Sequence, residues 1–164
     1  MNRRTFLNSL VSAGLLLTFS RQMLAQAGEK MMIETIEKDE STWKELLTPA
    51  QFEVLRKEGT ERAFSSHLNK NYSEGTYVCA GCALPLFDSE TKFDSGTGWP
   101  SFYVAIEGNT ASKRDFKMFL PRTEYHCARC GGHQGHIFND GPQPTGQRWC
   151  NNGVALNFVA KPTS

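Results

Sequence analysis

Two Cys-x-x-Cys pairs, Cys79-Ala80-Gly81-Cys82 and Cys127-Ala128-Arg129-Cys130, constrain this chain more than any other feature. Each pair lets two sulfurs converge on one ion at about 2.3 Å, and two pairs complete a tetrahedron. Gly81 inside the first pair, and Gly131-Gly132 after the second, supply the tight backbone that such knuckles need. A thiolate set of this kind suits zinc, with iron as the alternative. Other arrangements compete with it. Cysteines so close in sequence rarely close well as disulfides outside redox motifs, and neither pair sits in the strand-to-helix setting of a redox-active dithiol. His126 or His133 can also replace one cysteine as a ligand. The reading adopted is a structural zinc site made of Cys79, Cys82, Cys127 and Cys130. Residues 83–126 separate the pairs, too many for a compact zinc ribbon, so the clamp is expected to tie distant strands together.

The chain has five cysteines, an odd number, so at least one sulfur stays outside any complete set of internal pairs. That sulfur is Cys150, in Gln147-Arg148-Trp149-Cys150-Asn151-Asn152-Gly153. A lone cysteine is most often a small buried apolar residue. Here Arg148 stands two positions before it, and a nearby cation is expected to lower a thiol pKa and enlarge the thiolate fraction. A thiolate is the nucleophile that attacks electrophilic sulfur or carbonyl carbon. The segment Gly132-His133-Gln134-Gly135-His136-Ile137-Phe138-Asn139-Asp140 carries two of the four histidines, in a glycine-rich turn-to-strand passage. Paired histidines can bind metal or satisfy loop hydrogen bonds. With four cysteines available to a metal, proton exchange is the better use for them, and Asp140 is a candidate to orient one ring. In Gly96-Thr97-Gly98-Trp99-Pro100-Ser101-Phe102, Trp99 is held between glycine and proline and can wall a small apolar pocket.

Along the chain, helical signals precede strand signals. Ser41 is placed to cap the helix through Trp43 to Leu47, and Thr48 with Pro49 opens a second helix ending near Gly59. Residues 60–75 are polar and irregular. From Thr76 onward, short alternating runs separated by Gly, Pro and Asp-Gly mark strands: Tyr77-Val78, Leu84 to Phe87, Phe102 to Ile106, Phe116 to Leu120, Ile137-Phe138 and Val154 to Val159. This pattern predicts a mostly β domain of antiparallel strands with short N-terminal helices.

Residues 1–27 have a different character. A basic start without acidic residues, an apolar run from Leu10 to Phe19 and Ala25-Gln26-Ala27 follow the order of an export signal. The apolar run falls short of the roughly 20 residues needed to span a bilayer, so no stable membrane insertion is expected. Arg3-Arg4-Thr5-Phe6-Leu7 resembles a twin-arginine signal, which exports folded proteins; an amphipathic helix or short anchor is the alternative. Cleavage would leave a domain of residues 28–164 in the periplasm or outside the cell, its zinc loaded before export. It would also remove Arg3, Arg4 and Arg21, leaving 15 basic groups against 17 acidic ones and changing the net charge from +1 to −2. Neither value gives a basic field for nucleic acid.

Taken together, these motifs resemble the B-type methionine sulfoxide reductases over about Ser41 to Lys161. The resemblance rests on the two cysteine pairs, Gly98-Trp99-Pro100-Ser101-Phe102, Gly132 to Phe138 with Asp140-Gly141-Pro142, and Arg148 to Asn152. It implies reduction of methionine-(R)-sulfoxide in oxidised proteins or peptides, on a fold of two antiparallel sheets with a structural zinc remote from the chemistry. It gives Cys150 the nucleophile's role, Trp99 the substrate methyl pocket, and His133 and His136 the sulfoxide oxygen. Asp140, Arg148 and Asn152 become the supporting polar shell. Many relatives resolve the oxidised nucleophile with a second cysteine where this chain has Thr97, so a thioredoxin-like or other external thiol is the expected reductant. Three further departures are Trp149 in place of a smaller aromatic, Asn151 in place of an apolar residue and Ala155 in place of serine.

Overall fold

The computed structural model describes residues 33–117 and 121–162; residues 1–27, read above as an export signal, lie outside the described residues. Two short helices come first. Helix α1 (Glu40–Leu46) is capped by Asp39, whose carboxylate accepts the Thr42 N–H at 2.7 Å. The expected cap, Ser41, instead donates its hydroxyl to the same carboxylate at 2.9 Å. Helix α2 (Pro49–Lys57) opens with a capping box between Thr48 and Gln51. It ends at Glu58, which takes the left-handed conformation one residue before the expected stop at Gly59. Its apolar residues Phe52, Val54 and Leu55 are buried, and the helix packs against the seventh strand and the turn Gly153–Ala155.

The rest is β structure in two sheets, as expected. The smaller sheet has the order β2-β1-β9, from β1 (Gly75–Cys79), β2 (Pro85–Asp88) and β9 (Leu156–Ala160). The larger has the order β3-β4-β8-β7-β6-β5, from β3 (Lys92–Phe93), β4 (Ser101–Phe102), β5 (Thr110–Asp115), β6 (Arg122–Cys127), β7 (His133–Phe138) and β8 (Arg148–Asn151). Every strand pair is antiparallel.

Aromatic side chains fill the space between the sheets. Tyr77 and Phe87 come from the small sheet, and Phe102, Tyr125 and Trp149 from the large one. Phe87 stacks on Phe102 with ring centroids 4.1 Å apart, and Tyr77 meets Phe102 edge-on at 5.0 Å. Tyr125 meets Trp149 edge-on at 4.9 Å. Such pairs add about 0.5–1.5 kcal/mol each beyond the area they bury.

Two strand expectations are corrected. The run Phe102 to Ile106 shrinks to Ser101–Phe102. The run expected at Phe116 to Leu120 is displaced: the strand is Thr110–Asp115, Phe116 and Lys117 follow its end, and residues 118–120 lie outside the described residues. Strands β5 and β6 carry no apolar alternation in their sequence, because their segments, TASKRD and RTEYHC, are interrupted by charges. β5 is an edge strand, exposed along most of its length, and an edge tolerates such polarity.

Phe102 touches aromatic rings from the opposite sheet on two sides, so Phe102→Ala should destabilise the protein by about 3–5 kcal/mol. The urea unfolding midpoint measures this. A shift equivalent to less than about 1 kcal/mol would mean the aromatic layer is not what joins the sheets.

Candidate active site

The four clamp cysteines come together from both sheets. Cys79 ends β1 and Cys127 ends β6, while Cys82 and Cys130 lie in the turns that follow. Their sulfurs all lie within 4.8 Å of one another, with Cys79 Sγ 3.6 Å from Cys130 Sγ and Cys82 Sγ 3.4 Å from Cys127 Sγ. The close approaches run between the two Cys-x-x-Cys pairs, so neither pair is closed on itself. Mutual contact of the four sulfurs pushes the Cys79 and Cys127 thiols above their ordinary value and Cys82 and Cys130 below it. Four sulfurs converging this closely form a donor set that fits a tetrahedral cation. His126 and His133, the alternative ligands, are engaged elsewhere: both hold Glu124.

The second knuckle also launches the strand that carries the histidines. Gly131, at φ +66°, turns the chain after Cys130, and β7 begins at His133. Antiparallel pairing then lines up one transverse row across the large sheet. Glu124 of β6 stands opposite His136 of β7, His136 opposite Cys150 of β8, and Cys150 opposite Ser101 of β4. Directly opposed side chains share a face. The register therefore aims thiol and imidazole into the same space. Gly135 permits the close approach, because a Cβ there would overlap the Cys150 carbonyl oxygen.

That space is a pocket of about 150 Å³, lined by Trp99, Arg122, His136, Phe138, Cys150 and Asn152 among others. Its size suits the end of one side chain. Trp99, expected as a wall, is one; its Nε1 donates to the Glu61 carbonyl at 3.2 Å. Asn152 is buried, donating Nδ2 to the Gln134 carbonyl at 2.9 Å.

Two carboxylates that sequence reasoning missed orient the histidines. Asp115 Oδ2 sits 2.7 Å from His136 Nε2 and accepts from Arg122 at 2.7 Å. The Lys117 N–H, then His136 and Arg122, hold the Asp115 carboxyl well below its usual range. Glu124 Oε1 lies 2.7 Å from His133 Nδ1, and Oε2 lies 3.1 Å from His126 Nδ1. Burial works to raise Glu124, but the two histidine contacts outweigh it and hold the carboxyl at about 2. Each carboxylate fixes the proton on the ring nitrogen it faces. His133 Nε2 is then left buried with no hydrogen-bond partner among the described residues. The two imidazole rings are 5.5 Å apart, centroid to centroid. Burial lowers the His136 pKa.

Asp140 does not orient a histidine as expected. It takes a bidentate grip on Arg148, at 2.8 and 2.9 Å, and Arg148 lies over the Phe138 ring. The reason is register: Arg148 stands opposite Phe138 at the end of β7, where the chain turns towards Asp140. The expected depression of the Cys150 pKa is also corrected. Burial raises the thiol above its ordinary value, and the pull of Arg148 and of the Thr97 hydroxyl only partly offsets this. The Thr97 hydroxyl belongs to a small cluster, with Ser95 Oγ 2.8 Å from both Thr97 Oγ1 and Ser101 Oγ.

A model of the SelR domain matches residues 47–160. The chain is 53% identical over 129 residues to the peptide methionine sulfoxide reductase MsrB of Methanosarcina barkeri, covering 78% of this chain and 91% of that protein. It is 50% identical over 130 residues to MsrB of Pseudomonas savastanoi, covering 79% and 99%, respectively. It is also 51% identical over 122 residues to the chloroplastic peptide methionine sulfoxide reductase B1 of Arabidopsis thaliana, covering 74% and 60%. The chain belongs to the B-type methionine sulfoxide reductases.

As a member of that family it is a peptide-methionine (R)-S-oxide reductase, reducing methionine sulfoxide in repair of oxidised methionine. Two of the departures from the family pattern are accounted for by packing. Trp149 alternates with Cys150 and turns to the opposite face, against Tyr125 and Phe87, so its bulk fills the core and not the reductase pocket. Asn151 is buried, but the Tyr125 hydroxyl donates to its Oδ1 at 2.6 Å, so the polar exchange is satisfied. Ala155 is fully buried, and nothing in the structure explains the loss of serine there.

Because burial outweighs Arg148, alkylation of Cys150 by iodoacetamide, followed by peptide mapping, should titrate with a midpoint above the free-thiol value of about 8.5. Arg148→Met should move it higher, and a midpoint below the free-thiol value would reverse the ranking of the two effects. Asp115→Asn should lower kcat/KM on a methionine sulfoxide peptide by about tenfold or more. Unchanged kinetics would remove Asp115 from any part in orienting His136.

Proposed function

We propose that this reductase acts on methionine-(R)-sulfoxide within oxidised proteins, by a one-cysteine mechanism regenerated by an external thiol. The observation that carries the reading is the pairing of Cys150 with His136 across β7 and β8, beside a pocket walled by Trp99. The substrate methyl group is assigned to Trp99 and the sulfoxide oxygen to His133 and His136. Arg148, gripped by Asp140, supplies positive charge beside the sulfur, and Asn152 closes the polar side of the pocket.

The steps follow from the chemistry. A sulfoxide oxygen leaves sulfur poorly until it is protonated, so thiolate attack needs an acid beside it. Cys150 loses its proton and attacks the sulfoxide sulfur, while a histidine delivers a proton to the oxygen. The attack joins Cys150 sulfur to the substrate sulfur; the hydroxyl then passes from the substrate sulfur to Cys150 as the sulfur–oxygen and sulfur–sulfur bonds break, which releases methionine and leaves a sulfenic acid. Methionine sulfur is reduced by two electrons and Cys150 is oxidised by two. An external thiol displaces water from the sulfenic acid to form a mixed disulfide, and a second thiol frees Cys150. The support for external regeneration is that Cys79, Cys82, Cys127 and Cys130 are gathered in the clamp while Thr97 faces Cys150.

The clamp is assigned to a structural zinc, held by Cys79, Cys82, Cys127 and Cys130, that contributes folding energy and takes no part in the reaction. Residues 1–27 are assigned to twin-arginine export, on the order of basic, apolar and small residues, which places the domain of residues 28–164 in the periplasm or outside the cell.

Incubation of the protein with each methionine sulfoxide epimer in a peptide, with dithiothreitol as reductant, should give turnover of the R epimer alone, and Cys150→Ser should abolish it. Mass spectrometry after one turnover without reductant should find a sulfenic acid on Cys150. An intramolecular disulfide to Cys150 would overturn the one-cysteine mechanism. Elemental analysis should find one zinc per chain, and Cys82→Ser should lose both the metal and most of the thermal stability; iron in its place would overturn the metal assignment.

A further inference from the structure

We propose that Glu61 is a positioning residue for the substrate pocket, setting Trp99 and Asn152 without lining the pocket itself. The proposal rests on the reading of those two residues as substrate walls. Glu61 directly follows Thr60, which reaches the pocket edge, and four of its polar atoms are used on two distant segments. Its carboxylate accepts the Gly153 N–H at 2.6 Å through Oε1 and the Val154 N–H at 2.9 Å through Oε2. Its backbone N–H donates to Asn152 Oδ1 at 3.0 Å, and its backbone carbonyl accepts the Trp99 indole N–H at 3.2 Å.

The division of labour matters. Gly153 and Val154 open the 3₁₀ turn Gly153–Ala155, immediately after the β8 strand that bears Cys150. Asn152, at the cap position of that turn, makes no side-chain cap bond. Glu61 supplies the missing acceptor from more than ninety residues away. Bonds from N–H groups to an ionised carboxylate are about twice as strong as neutral ones, so the side chain anchors residue 61. The anchored backbone then holds the Asn152 amide and the Trp99 indole at fixed positions on opposite sides of itself. Packing supports the same contact: a Cβ at Gly153 would overlap the Ser66 hydroxyl and approach Glu61 Oε1 to 3.3 Å, so the segment 61–66 sits tightly on the turn. Asn152 is secured by Gln134 as well, whereas the Trp99 indole N–H bonds only to Glu61 among the described residues.

A residue that sets the pocket walls but touches neither sulfur nor proton should act on substrate binding more than on the chemical step. In the full-length protein, Glu61→Ala is expected to raise KM for a methionine-(R)-sulfoxide peptide about tenfold while kcat falls less than about threefold. The pH profile of Cys150 alkylation should stay where it is in the parent. Glu61→Gln keeps one acceptor for a backbone N–H and should fall between parent and Glu61→Ala. Rates are normalised to titrated Cys150 thiol, which separates a pocket effect from a smaller folded fraction. A KM within about twofold of the parent, or a loss confined to kcat, overturns the proposal. If Glu61→Ala does not fold, Glu61→Gln decides: a raised KM supports the assignment and an unchanged KM overturns it. A parent protein inactive on the R epimer would instead overturn the function on which the proposal rests.

Discussion

The four-sulfur clamp is the constraint from which the rest of the structure follows. It joins the end of β1 in the small sheet to the end of β6 in the large one. An aromatic layer holds the sheets face to face over most of their area, but dispersion contacts specify distance better than register. Four sulfurs able to hold one ion would specify both. The clamp also fixes the start of β7, because Cys130 and Gly131 lead directly into the strand that carries His133 and His136. A buried chain of hydrogen bonds continues inward from the metal side. Gln134 donates to Cys79 Sγ at 3.4 Å, Asn151 donates to Gln134 Oε1 at 3.4 Å, and Asn151 is next to Cys150. The cysteine cluster is thus tied to the strand that carries Cys150 by two side chains.

Strand alternation divides β8 into two jobs. Cys150 and Arg148 share one face, where Cys150 lines the pocket, while the side chains of Trp149 and Asn151 both meet Tyr125 on the other. This explains how the segment can depart from the family pattern on both sides of its nucleophile. A larger aromatic and a polar residue are absorbed by a core that already contains a tyrosine hydroxyl. The row Glu124, His136, Cys150 and Ser101 runs across four strands at a single level. Functional groups separated by up to 49 positions in the chain are brought together by register alone.

Much of this was legible in the sequence, and what was not has physical reasons. The clamp could be read because zinc coordination imposes a spacing on cysteines, and the helices because Thr48, Pro49 and the apolar positions of α2 follow backbone rules. Asp115 and Glu124 could not be found that way. Both lie in strands whose polar composition hid them, and a carboxylate pairs with a histidine through sheet register, which leaves no local signature. Asp140 looked like a partner for one of the two histidines, which are close to it in the sequence, but the end of β7 carries it to Arg148 instead. The one usable signal was negative: a charged residue buried in β6, Glu124, needs a partner, and the two histidines of β7 are the nearest candidates across the ladder.

The raised Cys150 thiol is consistent with the proposed chemistry once protons are counted. Thiol plus sulfoxide gives sulfenic acid plus thioether with no net gain or loss of protons. The proton that sulfur gives up is the proton that oxygen must receive. A permanently ionised thiolate would need that proton from solvent, whereas a buried thiol brings its own. His136 stands directly opposite and is kept short of protonation by its burial, with Asp115 fixing the proton on Nε2. Its other nitrogen can accept from sulfur as the ring acquires positive charge, which Asp115 stabilises. Arg148 then acts on the thiolate formed during attack more than on the resting thiol. On this account the burial of the Cys150 thiol, which looks like a penalty on a nucleophile, keeps the transferable proton on sulfur until a sulfoxide arrives to take it.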